Sequence, residues 1–389
     1  MSHMLQDQNP YRPGAGLMPP ELAGRSTEIA AFDMLRTRAK RREIDRGLAL
    51  SGLRGVGKTA LLNHLMLMAD QDRWISIALE AQSTAAGEQA VRRRLGALLQ
   101  AALAKFSLSR RLRTGLDSLR AAVGEFSLAA GGISVTATTP AATGLLDLDI
   151  EKLTQEVAQV AQQHQTAFAI FIDEMQDLDS EVLAALLVAQ HRCQQLSLPF
   201  YVIGAGLPNL PARLTEARSY AERLFLYSAI GPLSRPDASM ALTRPAERAG
   251  CSFTPEALTR LIDASAGYPY FLQEFGKAIW TVATSSDFSD DDADRAVQIG
   301  VAQLDAGFFP SRWDRATDRE RQYMAAMADL TPPILSRSLA EALGSDLSHL
   351  SGTRHALIAK GLVYAPARGE IAFTVPMMAD FIRRQTDRE

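Results

Sequence analysis

Apolar residues along this chain fall into two patterns: short runs with almost no interruption, and longer stretches with helical spacing. The runs are Leu48-Ala49-Leu50, Trp74-Ile75-Ser76-Ile77-Ala78-Leu79, Ala167-Phe168-Ala169-Ile170-Phe171-Ile172, Phe200-Tyr201-Val202-Ile203 and Leu224-Phe225-Leu226-Tyr227. Continuous runs of this length predict strands covered on both faces, as in a parallel sheet. The segments between them carry apolar positions three and four apart, which predicts helices. Strand and helix in alternation predict an α/β fold, with helices on both faces of a parallel sheet and a ligand at the carboxyl ends of its strands.

The pattern changes at several places. Residues 1–20 are rich in Pro, Gly and Gln and predict an extended arm, of which Met1-Ser2-His3-Met4 reads as a cloning remnant. The α/β pattern occupies 21–231, opening with an amphipathic helix for which Ser26 or Thr27 is the expected cap. Helical periodicity spans 86–123, with Arg92, Arg93 and Arg94 on an expected solvated face. Residues 125–139, two alternating runs around Ala-Gly-Gly, predict a β-hairpin inserted in the core. A helical region fills 232–290, up to the polar break Ser285–Asp292, and a third block fills 291–389.

Candidate chemistry centres on Gly52-Leu53-Arg54-Gly55-Val56-Gly57-Lys58-Thr59, which fits G-x-x-x-x-G-K-[ST] without a mismatch. Glycines let successive backbone N–H groups turn inward on phosphate oxygens, and the helix that follows adds its dipole. In that arrangement Gly52, Arg54, Gly55, Val56, Gly57 and Ala60 line the phosphates of ATP or ADP. Lys58 reaches the β- and γ-phosphates, and the Thr59 hydroxyl ligates Mg²⁺. The run ending at Ile172 leads directly into Asp173-Glu174. Asp173 is the expected second holder of Mg²⁺ and Glu174 the expected base for an attacking water. A kinase would not require the second acid.

Composition narrows the class further. The 389 residues are 47% apolar and 22% charged, enough for two or three ordinary globular domains. The formal charge of −3 excludes a uniformly basic coat for nucleic acid, so any such contact is local. Cys193 and Cys251 lack metal or redox spacing and are expected as buried thiols. With no run of membrane-spanning length and no secretory leader, the expectation is a cytoplasmic protein without a membrane partner.

With these pieces in order, the chain resembles the AAA+ ATPases, in the clade joining origin-recognition and replication-initiator ATPases to the STAND-type switch ATPases. The resemblance rests on Gly24-Arg25-Ser26-Thr27-Glu28, Gly52–Thr59, Asp173-Glu174 and Gly267-Tyr268-Pro269. It implies a helical lid over 232–290, adenine-side contacts at Gly24 and Arg25, and nucleotide contact at Pro269. It also implies an ATP-dependent homo-oligomer in which Arg223 enters the neighbouring subunit's site as an arginine finger. Two departures point to slow hydrolysis: no plain polar sensor ends Ile203-Gly204-Ala205-Gly206, and aromatics replace a sensing arginine after Pro269.

The third block resembles a winged helix-turn-helix. Helices are predicted over 317–331, capped by Thr317 with Glu320 three residues on, over 338–343, and over 346–360. A hairpin follows, with strands at 361–364 and 371–375. In such a domain the third helix enters the major groove of double-stranded DNA. That reading gives base contacts to His349, Ser351, Thr353 and Arg354, and phosphate contacts to Lys360 and Arg368. Glu341, Asp346 and Glu370 dilute the positive field, so contact with a protein effector stands as the alternative.

Overall fold

The computed structural model describes residues 6–14, 16–81, 87–110, 119–121, 123–124 and 145–386. The chain divides into two compact units: Arg25–Gly52 with Lys58–Ile230, and Met1–Gly24 with Leu53–Gly57 and Gly231–Glu389. The hairpin predicted at 125–139 lies outside the described residues.

The first unit is built on five parallel strands: β1 (Gly47–Gly52), β2 (Ile75–Glu80), β3 (Phe168–Asp173), β4 (Phe200–Gly206) and β5 (Phe225–Ile230). Their order is β2-β3-β4-β1-β5. Position in the sheet explains the sequence pattern. Central β3 and β4 are apolar and buried nearly throughout, whereas the edge strands β2 and β5 carry exposed positions. Phe168 and Phe200 stack at 4.9 Å across β3 and β4, and Phe32, Trp74, Phe171 and Tyr201 form a second aromatic cluster. Gln190 is fully buried, accepting from Val202 N and donating to Leu224 O, both at 2.8 Å. It therefore ties helix Ser180–Gln195 to β4 and to the residue preceding β5.

Three helices meet or correct the sequence expectations. Helix α1 (Ser26–Lys40) is preceded by Arg25 without a side-chain cap, so neither Ser26 nor Thr27 caps it. Instead Glu28 accepts from Ser228 Oγ at 2.7 Å, which binds the first turn to β5. Helix α2 (Lys58–Gln71) follows the glycine loop. Helix α3 (Gly87–Arg110) leaves Arg93 and Arg94 exposed, and Arg94 donates to Glu80 O at 3.0 Å.

The second unit gathers helices Arg235–Arg248, Pro255–Ser265, Pro269–Val282 and Asp290–Gln303 with a two-stranded sheet, β6 (Ser252–Phe253) and β7 (Asp287–Phe288). The amino-terminal arm lies on these helices. Tyr11 is 3% exposed and donates to Leu242 O at 2.6 Å, while Glu21 pairs with Arg244 and Arg248. Farther on, helix Asp318–Ala328 starts with the capping box of Thr317 and Glu320. Helices Ser336–Ala342 and Leu347–Ala359 follow, with β8 (Ile334–Leu335), β9 (Val363–Tyr364) and β10 (Glu370–Phe373) in the order β8-β10-β9. The short β8 and the closing helix Met378–Thr386 were not legible in the pattern.

Candidate functional site

The loop after β1 has the backbone that its glycines permit. Gly55 and Gly57 take φ of 83° and 89°, conformations in which a side chain is strained. Val56 is fully buried, Ala60 nearly so, and Lys58, at the first turn of α2, is 6% exposed. A lysine is rarely buried without an electrostatic reason. Residues 53–57 pack within the second unit, where a Cβ on Gly57 would lie 3.9 Å from Pro269 Cγ and one on Gly55 3.8 Å from Tyr270 Cβ. The Gly267-Tyr268-Pro269 segment and the phosphate loop, 210 residues apart in sequence as roughly counted, thus meet in space.

Within the first unit, Thr59 Oγ1 donates to Asp173 Oδ2 at 2.6 Å, across 114 residues of chain. Asp173 Oδ1 accepts from the backbone N–H of Glu174 at 2.9 Å, so both carboxylate oxygens are held. A hydroxyl and a carboxylate oxygen that converge in this way are hard donors, the set that suits Mg²⁺. No group of three or more His, Cys, Asp or Glu side chains fit to hold a metal occurs among the described residues.

Glu174 adopts a left-handed backbone, φ 48° and ψ 40°, at the turn that ends β3. Its Oε2 accepts from Gln176 Nε2 at 2.8 Å. Gln176 is itself buried, and its Oε1 accepts from Leu207 N at 3.0 Å, just beyond β4. A Cβ on Gly206 would come within 2.5 Å of Gln176 Oε1. Gln176 thus reaches over the end of β4, and its Oε1 leaves no room for a side chain at Gly206. Sequence reading passed over Gln176, although a glutamine two residues from a candidate base was a usable signal. Asn209, the first polar side chain after β4, is exposed and makes no side-chain cap bond.

The remaining candidates are spread more widely. Arg25 is buried at 7% exposure, at the start of α1. Arg223 is exposed on the one-turn helix Ala221–Leu224 before β5. On helix Leu347–Ala359, His349 and Ser351 are exposed and Arg354 is half-buried, donating to Glu370 O at 3.3 Å. Arg368 is exposed between β9 and β10. Two further candidates are engaged within their own domain. Thr353 is 8% exposed. Lys360 donates to Glu320 Oε2 at 2.6 Å and to Arg315 O at 3.0 Å.

A parallel sheet with a glycine-rich loop after its first strand and an Asp-Glu pair after its third is the fold of AAA+ P-loop proteins. Residues 21–203, just under half of the chain, match the family model described as an AAA ATPase domain. Residues 306–382 match a second model, described as a domain of unknown function (DUF8462). In fold, the chain is similar to the Walker-type ATPase PABY2304 of Pyrococcus abyssi, with a TM-score of 0.61 at 16% identity, covering 90% of this chain and 95% of that one. Fainter likenesses are to the RuvB Holliday junction branch migration motor of Thermotoga maritima and to the Aeropyrum pernix ORC1 protein in complex with DNA. The first has TM-score 0.48 and 17% identity, covering 92% of this chain and 96% of that one. The second has TM-score 0.47 and 14% identity, covering 95% and 94%. No curated protein matches the chain. No described helix is long and apolar enough to cross a membrane.

Proposed function

We propose that this protein binds and slowly hydrolyses ATP, and works as an oligomerising, DNA-binding switch. The observation that carries the reading is the 2.6 Å bond between Thr59 and Asp173, which sets a hydroxyl and a carboxylate together. In this reading the backbone of Gly52–Gly57 cradles the phosphates, Lys58 draws the γ-phosphate, and Thr59 and Asp173 hold Mg²⁺. When bound there, Mg²⁺ would supply positive charge to offset that of the phosphates. Glu174 takes the proton of the attacking water, oriented by Gln176, and Gly24, Arg25 and Pro269 contact the rest of the nucleotide. Slow turnover follows from the lack of a plain polar sensor in Ile203-Gly204-Ala205-Gly206, together with the aromatics Tyr270 and Phe271 after Pro269. Arg223 completes the site of a neighbouring copy, which the exposure of its side chain supports.

We read the carboxy-terminal helices with β8, β9 and β10 as a winged helix, and the domain limits as arm 1–20, core 21–231, lid 232–290 and winged-helix block 291–389. DNA contact then narrows to His349, Ser351, Arg354 and Arg368, multiplied by assembly. Burial of Thr353 and the pairing of Lys360 favour a second reading, in which the winged helix meets a protein effector. Sizing the protein with ADP, with a non-hydrolysable ATP analogue, and with each plus duplex DNA tests both. Assembly with the analogue and co-migration with DNA support the first reading. Assembly without DNA retention leaves the second, and a monomer under every condition sinks the oligomeric switch.

A further inference from the structure

The second unit holds a concentration of positive charge that the proposed reaction does not use. Arg54, Ser311, Arg312, Arg315 and Lys360 line one cavity of about 110 Å³, and no acid is among its lining residues. Lys360 is compensated by Glu320, as described. Arg312 is compensated far less. Its Nη1 donates to Phe308 O at 2.6 Å, its guanidinium carbon lies 3.7 Å from the Phe308 ring centroid, and its Nε is buried without a hydrogen-bond partner. Burial first, and then the charge of Arg54, lower its pKa to about 10, with Arg315 adding to the effect and Tyr270 opposing it. At neutral pH the group is still cationic, so like charges are held together around an empty space. That arrangement costs free energy until an anion enters.

We propose that this cavity is a phosphate-binding site, sharing only Arg54 with the residues assigned to nucleotide phosphates. Its size selects the ligand: ligand pockets for whole small molecules usually exceed about 300 Å³, so this one admits a single tetrahedral oxyanion and not a nucleoside. Guanidiniums from separate chain positions favour an anion with oxygens on several sides, as in phosphate, over the flat pair of a carboxylate. Arg54 stands between Gly52 and Gly55 of the loop, and Arg312 and Arg315 belong to the segment around helix Pro310–Trp313. A phosphate held by all three fastens the loop to the carboxy-terminal block within one unit. The group could arrive as free phosphate or in a nucleic-acid backbone.

Calorimetric titration of inorganic phosphate into the full chain saturated with ADP tests the site: ADP fills the α- and β-phosphate positions of the loop, and the two arginine variants separate this cavity from the open γ-position. Saturable phosphate binding is expected in the wild type. Arg315→Ala, at an exposed position, should weaken it at least tenfold while leaving ADP affinity unchanged. Arg312→Met, which keeps an apolar stem against Phe308, should abolish it. Absence of saturable binding in the wild type, or equal affinity in both variants, overturns the site. Should ADP fail to bind, the ATPase reading falls on its own, and the same titration of Lys58→Ala with and without Arg315→Ala still reads this cavity. Competition by short duplex DNA assigns the phosphate to a nucleic-acid backbone; binding undisturbed by DNA assigns it to the free ion.

Discussion

Replacing Gln176 by leucine removes the link between Glu174 and the end of β4, and the structure sets the size of the effect. Two hydrogen bonds are lost, one from Gln176 Nε2 to the Glu174 carboxylate at 2.8 Å and one from Leu207 N to Gln176 Oε1 at 3.0 Å. The Leu207 N–H stays buried, and leaving such a donor unmet costs about 1–3 kcal/mol. Glu174 is half-buried and regains water, so the loss of its amide partner adds less. Leucine recovers some apolar burial. The net destabilisation expected is about 2–3 kcal/mol, read as a lower urea midpoint at constant slope. Hydrolysis should fall further than stability alone requires. A carboxylate freed from a charge-assisted bond samples several rotamers, and a fall of about tenfold in kcat corresponds to about 1.4 kcal/mol. ATP affinity should not change, because the side-chain hydrogen bonds of Gln176 go to Glu174 and Leu207. A variant with wild-type stability and wild-type kcat would show that the Gln176 bridge neither supports β4 nor orients Glu174.

Other predictions follow the same geometry. Glu174→Gln should keep ATP affinity and lose hydrolysis by at least a hundredfold; turnover near wild type would remove Glu174 from the base role. Gln190→Leu leaves the buried Val202 N–H and Leu224 carbonyl without partners, an expected loss of about 2–4 kcal/mol in a denaturation curve; a change under half a unit would contradict the bridge. Glu320 is pushed up by burial, but Lys360 and the Thr317 N–H and hydroxyl outweigh that and hold its pKa below the ordinary glutamate value. A depressed folded pKa gives stability that is present above the unfolded value and lost as pH falls through the folded one. Glu320→Gln should therefore destabilise the chain at pH 7 and flatten the acid limb of its stability profile; an unchanged acid limb would refute the assignment.

Much of the core was legible because its signals are local. Five apolar runs became the five strands, and the central ones read most clearly since both faces are covered. The loop Gly52–Thr59 and the Asp173-Glu174 pair were legible because their chemistry demands fixed residue types at fixed spacing. What escaped depends on distance in space. No spacing rule joins Gln176 to Leu207 or Lys360 to Glu320, and Thr353 looked available only until the helix turned it inward. β8 escaped because two residues after Pro332-Pro333 carry no period of their own. The predicted cap at Ser26 failed because Arg25 takes the cap position and Glu28 is drawn to β5. Cationic Arg54 is the subtler case: motif reading assigns its backbone to phosphate, whereas its side chain lines a separate cavity.

The central claim is that the loop and Asp173 together hold a nucleotide with its metal. Equilibrium binding of ATP, measured with Mg²⁺ and with a chelator, for wild type, Lys58→Ala and Asp173→Asn, tests it most directly. The account predicts saturable binding in the wild type that Mg²⁺ tightens, no measurable binding for Lys58→Ala, and loss of the Mg²⁺ increment for Asp173→Asn. Equal affinity in wild type and Lys58→Ala would contradict it.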